Sequence, residues 1–263
     1  MKIPFSKYQG TGNDFILIDN RTSFLTFYKE LVKMLCDRHF GIGADGLILL
    51  QNHPDNDFEM VYFNSDGNES TMCGNGGRCI TAFAKRLGII DKEATFSAID
   101  GEHCSIILDE TNQMMNVKLK MNDVSDIELN EQYIFMNTGS PHYVELVDDI
   151  DTMNVFEKGK AIRNNDRFKA QGTNVNFIQT KDNELFVRTY ERGVEDETLS
   201  CGTGVTAAAI ASSIWKLNEA NDHCLTNTLG GKMKVHFERN GTSYCNVWLE
   251  GAATFVFEGT IDL

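Results

Sequence analysis

The chain repeats itself once, and that repeat limits the folds open to it. Glu69-Ser70-Thr71-Met72-Cys73-Gly74-Asn75-Gly76 returns as Glu197-Thr198-Leu199-Ser200-Cys201-Gly202-Thr203-Gly204, both of the form E-[ST]-x-x-C-G-x-G. The offset is 128 residues, close to half of the 263-residue chain. The same offset carries Phe15-Ile16-Leu17-Ile18 onto Tyr143-Val144-Glu145-Leu146, Phe58 onto Phe186 and Tyr62 onto Tyr190, and Arg38 falls one residue from Arg167. One offset that aligns strand-like runs, glycine turns and a cysteine motif reads as two similar halves. Chance likeness between two glycine-rich turns is the competing explanation.

Short runs of β-branched and aromatic residues alternate with Gly, Asn and Asp turns, the pattern of strands. Helical spacing is rarer. Phe27, Leu31, Met34 and Leu35 share one helical face, and Ile80, Phe83, Ala84 and Leu87 repeat the spacing. Residues 205–217 are apolar nearly all round, which predicts a helix buried on every side. The expected architecture is α/β, each half wrapping strands around one central helix that starts just after its Cys-Gly-x-Gly turn. The first half is expected over residues 1–121 and the second over 122–257, joined through the polar stretch 122–130. The last residues, 258–263, are expected to return as an extra strand on the first half.

Composition narrows the function classes. Asp plus Glu number 38 against 24 Lys plus Arg, a net charge of -14 that repels phosphate backbones and argues against nucleic acid as a partner. No run of eighteen apolar residues offers a membrane span, and residues 1–6 lack a signal-peptide apolar core. The seven cysteines are odd in number and scattered, which suits a reducing cytoplasm better than a disulfide framework.

Two of those cysteines, Cys73 and Cys201, stand apart because each opens a predicted helix. The first N–H groups of a helix have no intrahelical partner, and its dipole is positive there. A thiol at that point has its thiolate favoured, and the glycines let backbone amides approach an anion. Were the halves to pack face to face, two thiols and two sets of amide donors would surround one anion. That suits removal of a proton beside a carboxylate by one cysteine and its return from the opposite face by the other. Zinc is disfavoured, since neither Cys-x-x-Cys nor His-x-x-x-His spacing occurs. A cysteine phosphatase is disfavoured too, because Arg78 comes one residue too early after Cys73 and Cys201 has no such Arg. Cys36, Cys79, Cys104, Cys224 and Cys245 read as small buried hydrophobes.

The motifs, taken in order, resemble those of the diaminopimelate epimerase family. They are Phe5-Ser6-Lys7 with Gly12-Asn13-Asp14-Phe15, Gly41-Ile42-Gly43-Ala44-Asp45-Gly46, Asn64-Ser65-Asp66-Gly67 and Met72-Cys73-Gly74-Asn75-Gly76-Gly77-Arg78-Cys79. The second half adds Gly139-Ser140-Pro141-His142, Gly172-Thr173-Asn174-Val175-Asn176-Phe177, Glu191-Arg192-Gly193 and Cys201-Gly202-Thr203-Gly204. The resemblance implies two pseudo-symmetric halves, each a curved, mostly antiparallel sheet or barrel around a central helix. It implies a cofactor-independent epimerase, without pyridoxal phosphate or metal, that interconverts LL- and meso-diaminopimelate for lysine and peptidoglycan precursors. Cys73 and Cys201 would be the acid–base pair. The amides of Gly74, Asn75, Gly202 and Thr203 would hold the carboxylate at the reacting centre. Asn13, Asn64, Asn174, Glu191 and Arg192 would bind the rest of the substrate, and His142 and Glu191 would tune the cysteines. A cytoplasmic homodimer is the implied assembly.

Two departures from the family pattern matter. Some members carry Gln where this chain has Gly46, and some carry Asn where it has Ser140, which leaves Ser140 a shorter binding candidate. The loop 193–200 also looks one residue longer than in some relatives, with extra acid at Glu195 and Asp196. Simpler readings stand beside these roles: Asn13, Asn64 and Asn174 as turn residues that accept left-handed angles, Glu191 and Arg192 as a solvated charge pair, and His142 as a satisfied histidine. Rival functions are a proline or hydroxyproline racemase, disfavoured by Asn75 where those carry His, and a phenazine-synthesis-like isomerase, which lacks the cysteine pair. A redox sensor whose two thiols form a disulfide is the alternative from another class.

Overall fold

The computed structural model describes residues 2–23, 26–217 and 220–262. The chain runs through β1 (Lys2–Gly10), β2 (Asn13–Asp19), α1 (Lys29–Cys36), β3 (Gly46–Gln51), β4 (Phe58–Asn64), β5 (Glu69–Ser70), α2 (Gly74–Arg86), β6 (Glu93–Ala98), β7 (Gly101–Glu110) and β8 (Met114–Lys120). It continues through β9 (Ile127–Leu129), β10 (Tyr133–Asn137), β11 (Pro141–Leu146), α3 (Val155–Arg163), β12 (Asn174–Lys181), β13 (Glu184–Glu191), β14 (Asp196–Thr198), α4 (Gly202–Ile214), β15 (His223–Thr228), β16 (Gly231–Asn240) and β17 (Ser243–Asp262). Two units result, one of Met1–Leu119 with Gly251–Leu263, the other of Lys120–Glu250. The divisions fall at 119/120 and 250/251, against the 121/122 and 257/258 expected from the sequence. Met1 and Leu263 lie outside the described residues.

The sequence repeat is a repeat of topology. The order from β1 to β8 recurs from β10 to β17, with β9 added ahead of the second set. Antiparallel β1–β2 matches β10–β11, and parallel β2–β3 matches β11–β12. Antiparallel β3–β4 matches β12–β13, and parallel β4–β6 matches β13–β15. Each parallel step needs a crossover. In each unit the two crossovers carry the two helices. In the first unit the pairings close on themselves, since β7 pairs β8, β8 pairs β17, and β17 pairs β1.

The central helices follow from their composition. α2 lies against β1, β2, β3 and β7, and α4 against β10 to β13, β15 and β16. In α4, Ala207, Ala208, Ala209 and Ala211 are fully buried, and their small side chains let strands approach from every direction. The outer helices cover the other face. Leu31, Val32, Leu35 and Cys36 of α1 join Ile16, Ile18, Leu47 and Leu49 in one cluster, while Val155 of α3 joins Tyr143, Val175, Phe177 and Tyr190 in another. Strands covered on both faces must be apolar throughout, which explains the unbroken runs Phe15–Ile18 and Leu47–Leu50. Each such Leu or Ile, fully buried, contributes about 1.5–3 kcal/mol.

Several expectations are corrected. Met34 is exposed on α1, the helix burying Val32 and Cys36 instead. The polar stretch 122–130 is not a bare joint: it contains β9, and its buried Val124 bridges Tyr244 in the second unit. The runs Tyr244–Leu249 and Thr254–Phe257, whose β-branched and aromatic residues suit two separate short strands, are parts of one strand, β17. That strand pairs with β1 from Thr254 to Asp262, well upstream of residue 258.

Candidate active site

Each repeated cysteine is the residue that caps its unit's central helix. Cys73 and Cys201 have extended backbones (φ -96 and -118), and their carbonyls accept the first intrahelical bonds, from Gly77 at 2.7 Å and Val205 at 2.9 Å. The N–H groups of Gly74, Asn75 and Gly76, and of Gly202, Thr203 and Gly204, therefore lie ahead of the first helical hydrogen bond and point out of the helix start. Neither helix carries an acidic residue in its first turn, which leaves the positive end uncompensated by side chains of its own. None of the seven cysteines is in a disulfide.

In the first unit the structure gathers Asn13, Cys73, Gly74 and Asn75. The Cys73 thiol lies 3.7 Å from Asn13 Oδ1, to which it donates, and Asn75 Nδ2 donates to the same oxygen at 3.3 Å. Asn13 Nδ2 in turn donates to Asp45 Oδ2 at 2.8 Å, so the amide cannot flip. Asp45 is held by Arg38, which also forks onto Asp14, itself paired with the buried Lys7 at 2.8 Å. Burial acts to raise the Asp14 pKa, but the hydrogen bonds from Arg38 and Lys7 outweigh it and hold the carboxyl down at about 2. Asn64 follows on β4, opposite Gly46, and its Oδ1 accepts the Tyr62 hydroxyl at 2.7 Å. A Cβ on Gly46 would stand 2.6 Å from the Tyr62 ring and 2.7 Å from the Phe63 carbonyl, so the packing leaves no room for a side chain there. The left-handed positions here are Thr11, Gly12 and Gly67, not Asn13 or Asn64, which are strand residues.

In the second unit the structure gathers His142, Asn174, Arg192, Cys201, Gly202 and Thr203. The β11–β12 register sets His142 beside Asn174. Asn174 Oδ1 accepts the backbone N–H of Arg192 at 2.8 Å, and the Arg192 guanidinium donates to the Gln171 carbonyl at 2.9 Å. His142 Nε2 is 2.9 Å from Thr203 Oγ1, and Thr203 Oγ1 is 3.5 Å from Cys201 Sγ. Burial first, and the nearby Arg192 charge second, push the His142 pKa down to about 3, so the imidazole is neutral. Glu191 accepts the Thr198 hydroxyl at 3.0 Å across the β13–β14 hairpin, whose turn places Glu195 at φ 59. Glu191 and Arg192 thus bond to different partners. Ser140 contributes its carbonyl to the Thr138 N–H at 3.1 Å.

Asn176, Tyr62 and Arg78 also belong to these clusters, although none carries a role in the sequence motifs. Asn176 Nδ2 donates to the Tyr143 carbonyl at 3.0 Å, which fixes its amide, and lies 3.0 Å from His142 Nδ1. Asn174 Nδ2 lies 3.4 Å from Nε2, but the nearer Asn176 donor makes Nδ1 the acceptor and puts the single imidazole proton on Nε2, facing Thr203. Thr203 then accepts from the histidine and can donate its own proton to Cys201. The signal for Asn176 was present: Asn174 and Asn176 are two apart on a strand and share a face. Among the five other cysteines, Cys36, Cys79 and Cys224 are buried, whereas Cys104 and Cys245 are partly exposed. Among the described residues no three His, Cys, Asp or Glu side chains converge as a metal cage.

Comparison with known proteins places these features in a family. The model of the family described as diaminopimelate epimerase matches residues 5–126 and 134–256. A diaminopimelate epimerase of Flavobacterium psychrophilum is 51% identical over 259 residues, covering 97% of this chain and 98% of that protein. One of Aquifex aeolicus is 40% identical over 276 residues, covering 98% and 97%. Among solved structures, a PhzF-family phenazine biosynthesis protein of Bacillus anthracis shares the fold with a TM-score of 0.76 at 14% identity over 100% of both chains. A hydroxyproline epimerase of Agrobacterium vitis shares it with a TM-score of 0.72 at 13% identity, over 100% of this chain and 93% of that one. With a family match through both units and a half-identical relative along nearly its whole length, the chain belongs to the diaminopimelate epimerase family.

Proposed function

We propose that the protein is a cofactor-independent epimerase that interconverts LL- and meso-diaminopimelate, with Cys73 and Cys201 as its acid and base. The observation that carries this is the placing of one cysteine at the start of the central helix of each unit, ahead of backbone amides that precede the first helical hydrogen bond. One cysteine, as thiolate, takes the proton from the substrate α-carbon. The electron pair of that C–H bond moves toward the carboxylate, whose growing charge the amides of Gly74, Asn75, Gly202 and Thr203 stabilise. The other cysteine, as thiol, returns a proton to the opposite face, and the two thiols exchange protonation states. Neutral His142, its proton held on Nε2, supports the Cys201 thiolate through the Thr203 hydroxyl. Asn13, Asn64, Asn174, Glu191, Arg192 and, more weakly, Ser140 bind the remaining carboxylate and ammonium groups, Arg192 through its N–H fork.

Among the described residues no helix is long and apolar enough to cross a membrane. In keeping with the family's place in lysine and peptidoglycan precursor synthesis, the protein acts on a small molecule as a cytoplasmic homodimer. The test is incubation of the reduced protein with LL- or meso-diaminopimelate, or with proline, in deuterated water. Interconversion of the diaminopimelates with deuterium at the α-carbon is expected, and is lost in Cys73→Ala and in Cys201→Ala. Labelling of proline instead would favour the racemase reading. Absence of label from either substrate would favour a thiol sensor.

A further inference from the structure

The two cysteine-bearing helices differ in one respect that the repeat makes visible. At the offset of 128 residues, Arg78 in α2 corresponds to Thr206 in α4. Both reach back one turn to the same carbonyl: Arg78 Nη1 donates to Gly74 O at 3.1 Å, and Thr206 Oγ1 donates to Gly202 O at 3.0 Å. The first helix therefore carries a fixed positive charge where the second carries a neutral hydroxyl.

That charge is fully buried. Arg78 has no exposed surface and is the largest fully buried side chain among the described residues. Its acceptors are neutral oxygens: Gly74 O, Asn75 Oδ1 at 3.0 Å and Thr11 Oγ1 at 3.3 Å. Its Nε is buried without a hydrogen-bond partner. A guanidinium stays charged in proteins, and a buried charge without an opposite charge is strongly disfavoured. Two thiols stand close along the same helix, Cys79 next in the chain and Cys73 at its cap, and an ionised thiol there would stabilise the Arg78 charge. Cys79 is fully buried, and that burial pushes its thiol up to about 12, so it keeps its proton. Cys73 is partly exposed at the helix start.

The other charged side chains on the strands packed against α2 are matched or exposed, Lys2 being exposed and Asp19 paired with Arg21. On β1, burial raises the Tyr8 phenol pKa and keeps it neutral, and Lys7 is paired with Asp14 of β2, which also takes Arg38. β3 has no ionisable side chain. On β7, His103 pairs with Asp100, which accepts the N–H of Met72, while Glu102, Asp109 and Glu110 are exposed. Asn13 Oδ1 favours the protonated thiol at Cys73, so the residue has a partner for each of its two states.

We infer that Arg78 is the fixed counter-charge of the Cys73 thiolate, a positioning residue through which the first unit stabilises its base without a histidine. It rests on the proposed acid–base role of Cys73 only for its consequence in turnover. The thiol can be titrated without substrate, so failure of one reading is distinguishable from failure of the other. Gly10 keeps the place, since a Cβ there would stand 3.3 Å from Arg78 Nη2.

The experiment is pH-dependent alkylation by iodoacetamide in a Cys201→Ala background, read by mass spectrometry of the Cys73 peptide. Arg78→Gln is expected to move the labelling midpoint up by roughly one pH unit or more, and Arg78→Lys, which keeps the charge and loses the fork, to restore most of it. An unmoved midpoint in Arg78→Gln, or an Arg78→Lys protein that behaves like it, overturns the inference. Should the Gln variant fail to fold, urea unfolding of the parent and of Cys73→Ser across the same pH range decides. The parent is expected to gain stability over Cys73→Ser as pH rises into the range where the unfolded thiol ionises. A difference between them that does not change with pH overturns it.

Discussion

Replacing Thr203 by valine keeps the shape of the side chain and removes the oxygen that stands between His142 and Cys201. In the structure that oxygen is 2.9 Å from His142 Nε2 and 3.5 Å from Cys201 Sγ. Asn176 holds the imidazole proton on Nε2, so the hydroxyl accepts from the histidine and donates to the sulfur. A hydrogen bond to a charged group is worth about 1.5–3 kcal/mol. At about 1.4 kcal/mol per factor of ten, Thr203→Val should lower kcat by about 10- to 150-fold. KM should change little, because the Thr203 backbone N–H is untouched. The same substitution leaves a buried imidazole N–H without its acceptor, which should cost about 1–3 kcal/mol of stability. Thr203→Ser keeps the oxygen and should recover most of both losses. The assay is the initial rate of LL-diaminopimelate epimerisation as a function of substrate and pH, beside a urea melt. Parental kcat in Thr203→Val, or a serine variant as impaired as the valine one, would refute the relay.

Two further outcomes follow from the same unit. The His142 pKa is about 3 in the folded protein against 6.5 for the ordinary side chain, so the unfolded chain binds the proton first as pH falls. Stability should therefore decline from about pH 6.5 toward pH 3, with a slope of up to about 1.4 kcal/mol per pH unit from this group, and His142→Gln should flatten that decline in pH-dependent urea unfolding. In α4 a Cβ on Gly204 would stand 2.4 Å from Asn176 Oδ1, so Gly204→Ala must displace the residue that orients His142. It should destabilise by about 1–3 kcal/mol in a thermal or urea melt and lower kcat with it.

The repeat was legible because turns and helix starts have local chemistry: glycine after cysteine ahead of an apolar run reads the same wherever it occurs. The all-apolar α4 was legible for a similar reason, since no exposed helix looks like Val205–Ile214. α3 was not, because its buried residues are few, Val155 and Gly159, and Gly159 serves a packing need invisible in sequence: a Cβ there would meet Tyr190 at 2.3 Å. β1 is hard to read because lysines at positions 2 and 7 blur its alternation, although Lys7 is buried as the partner of Asp14. Cys73 and Cys201 could be named from their setting in the chain. Asn176 could be placed on the face of Asn174 but not given its task, and Arg78 could not be read as a buried cation, because the His142 contact of the one and the burial of the other appear only once the strands are packed.

The claim on which the account depends is that two different sulfurs handle the substrate proton, one on each side of the α-carbon. Its most direct measurement is the isotope content of substrate and product at low conversion in deuterated water, starting from unlabelled LL-diaminopimelate. Two bases predict meso product carrying solvent deuterium at the inverted carbon while the remaining LL substrate stays unlabelled. Product that retains the substrate's own hydrogen would contradict it, because a single group would then have carried the proton across.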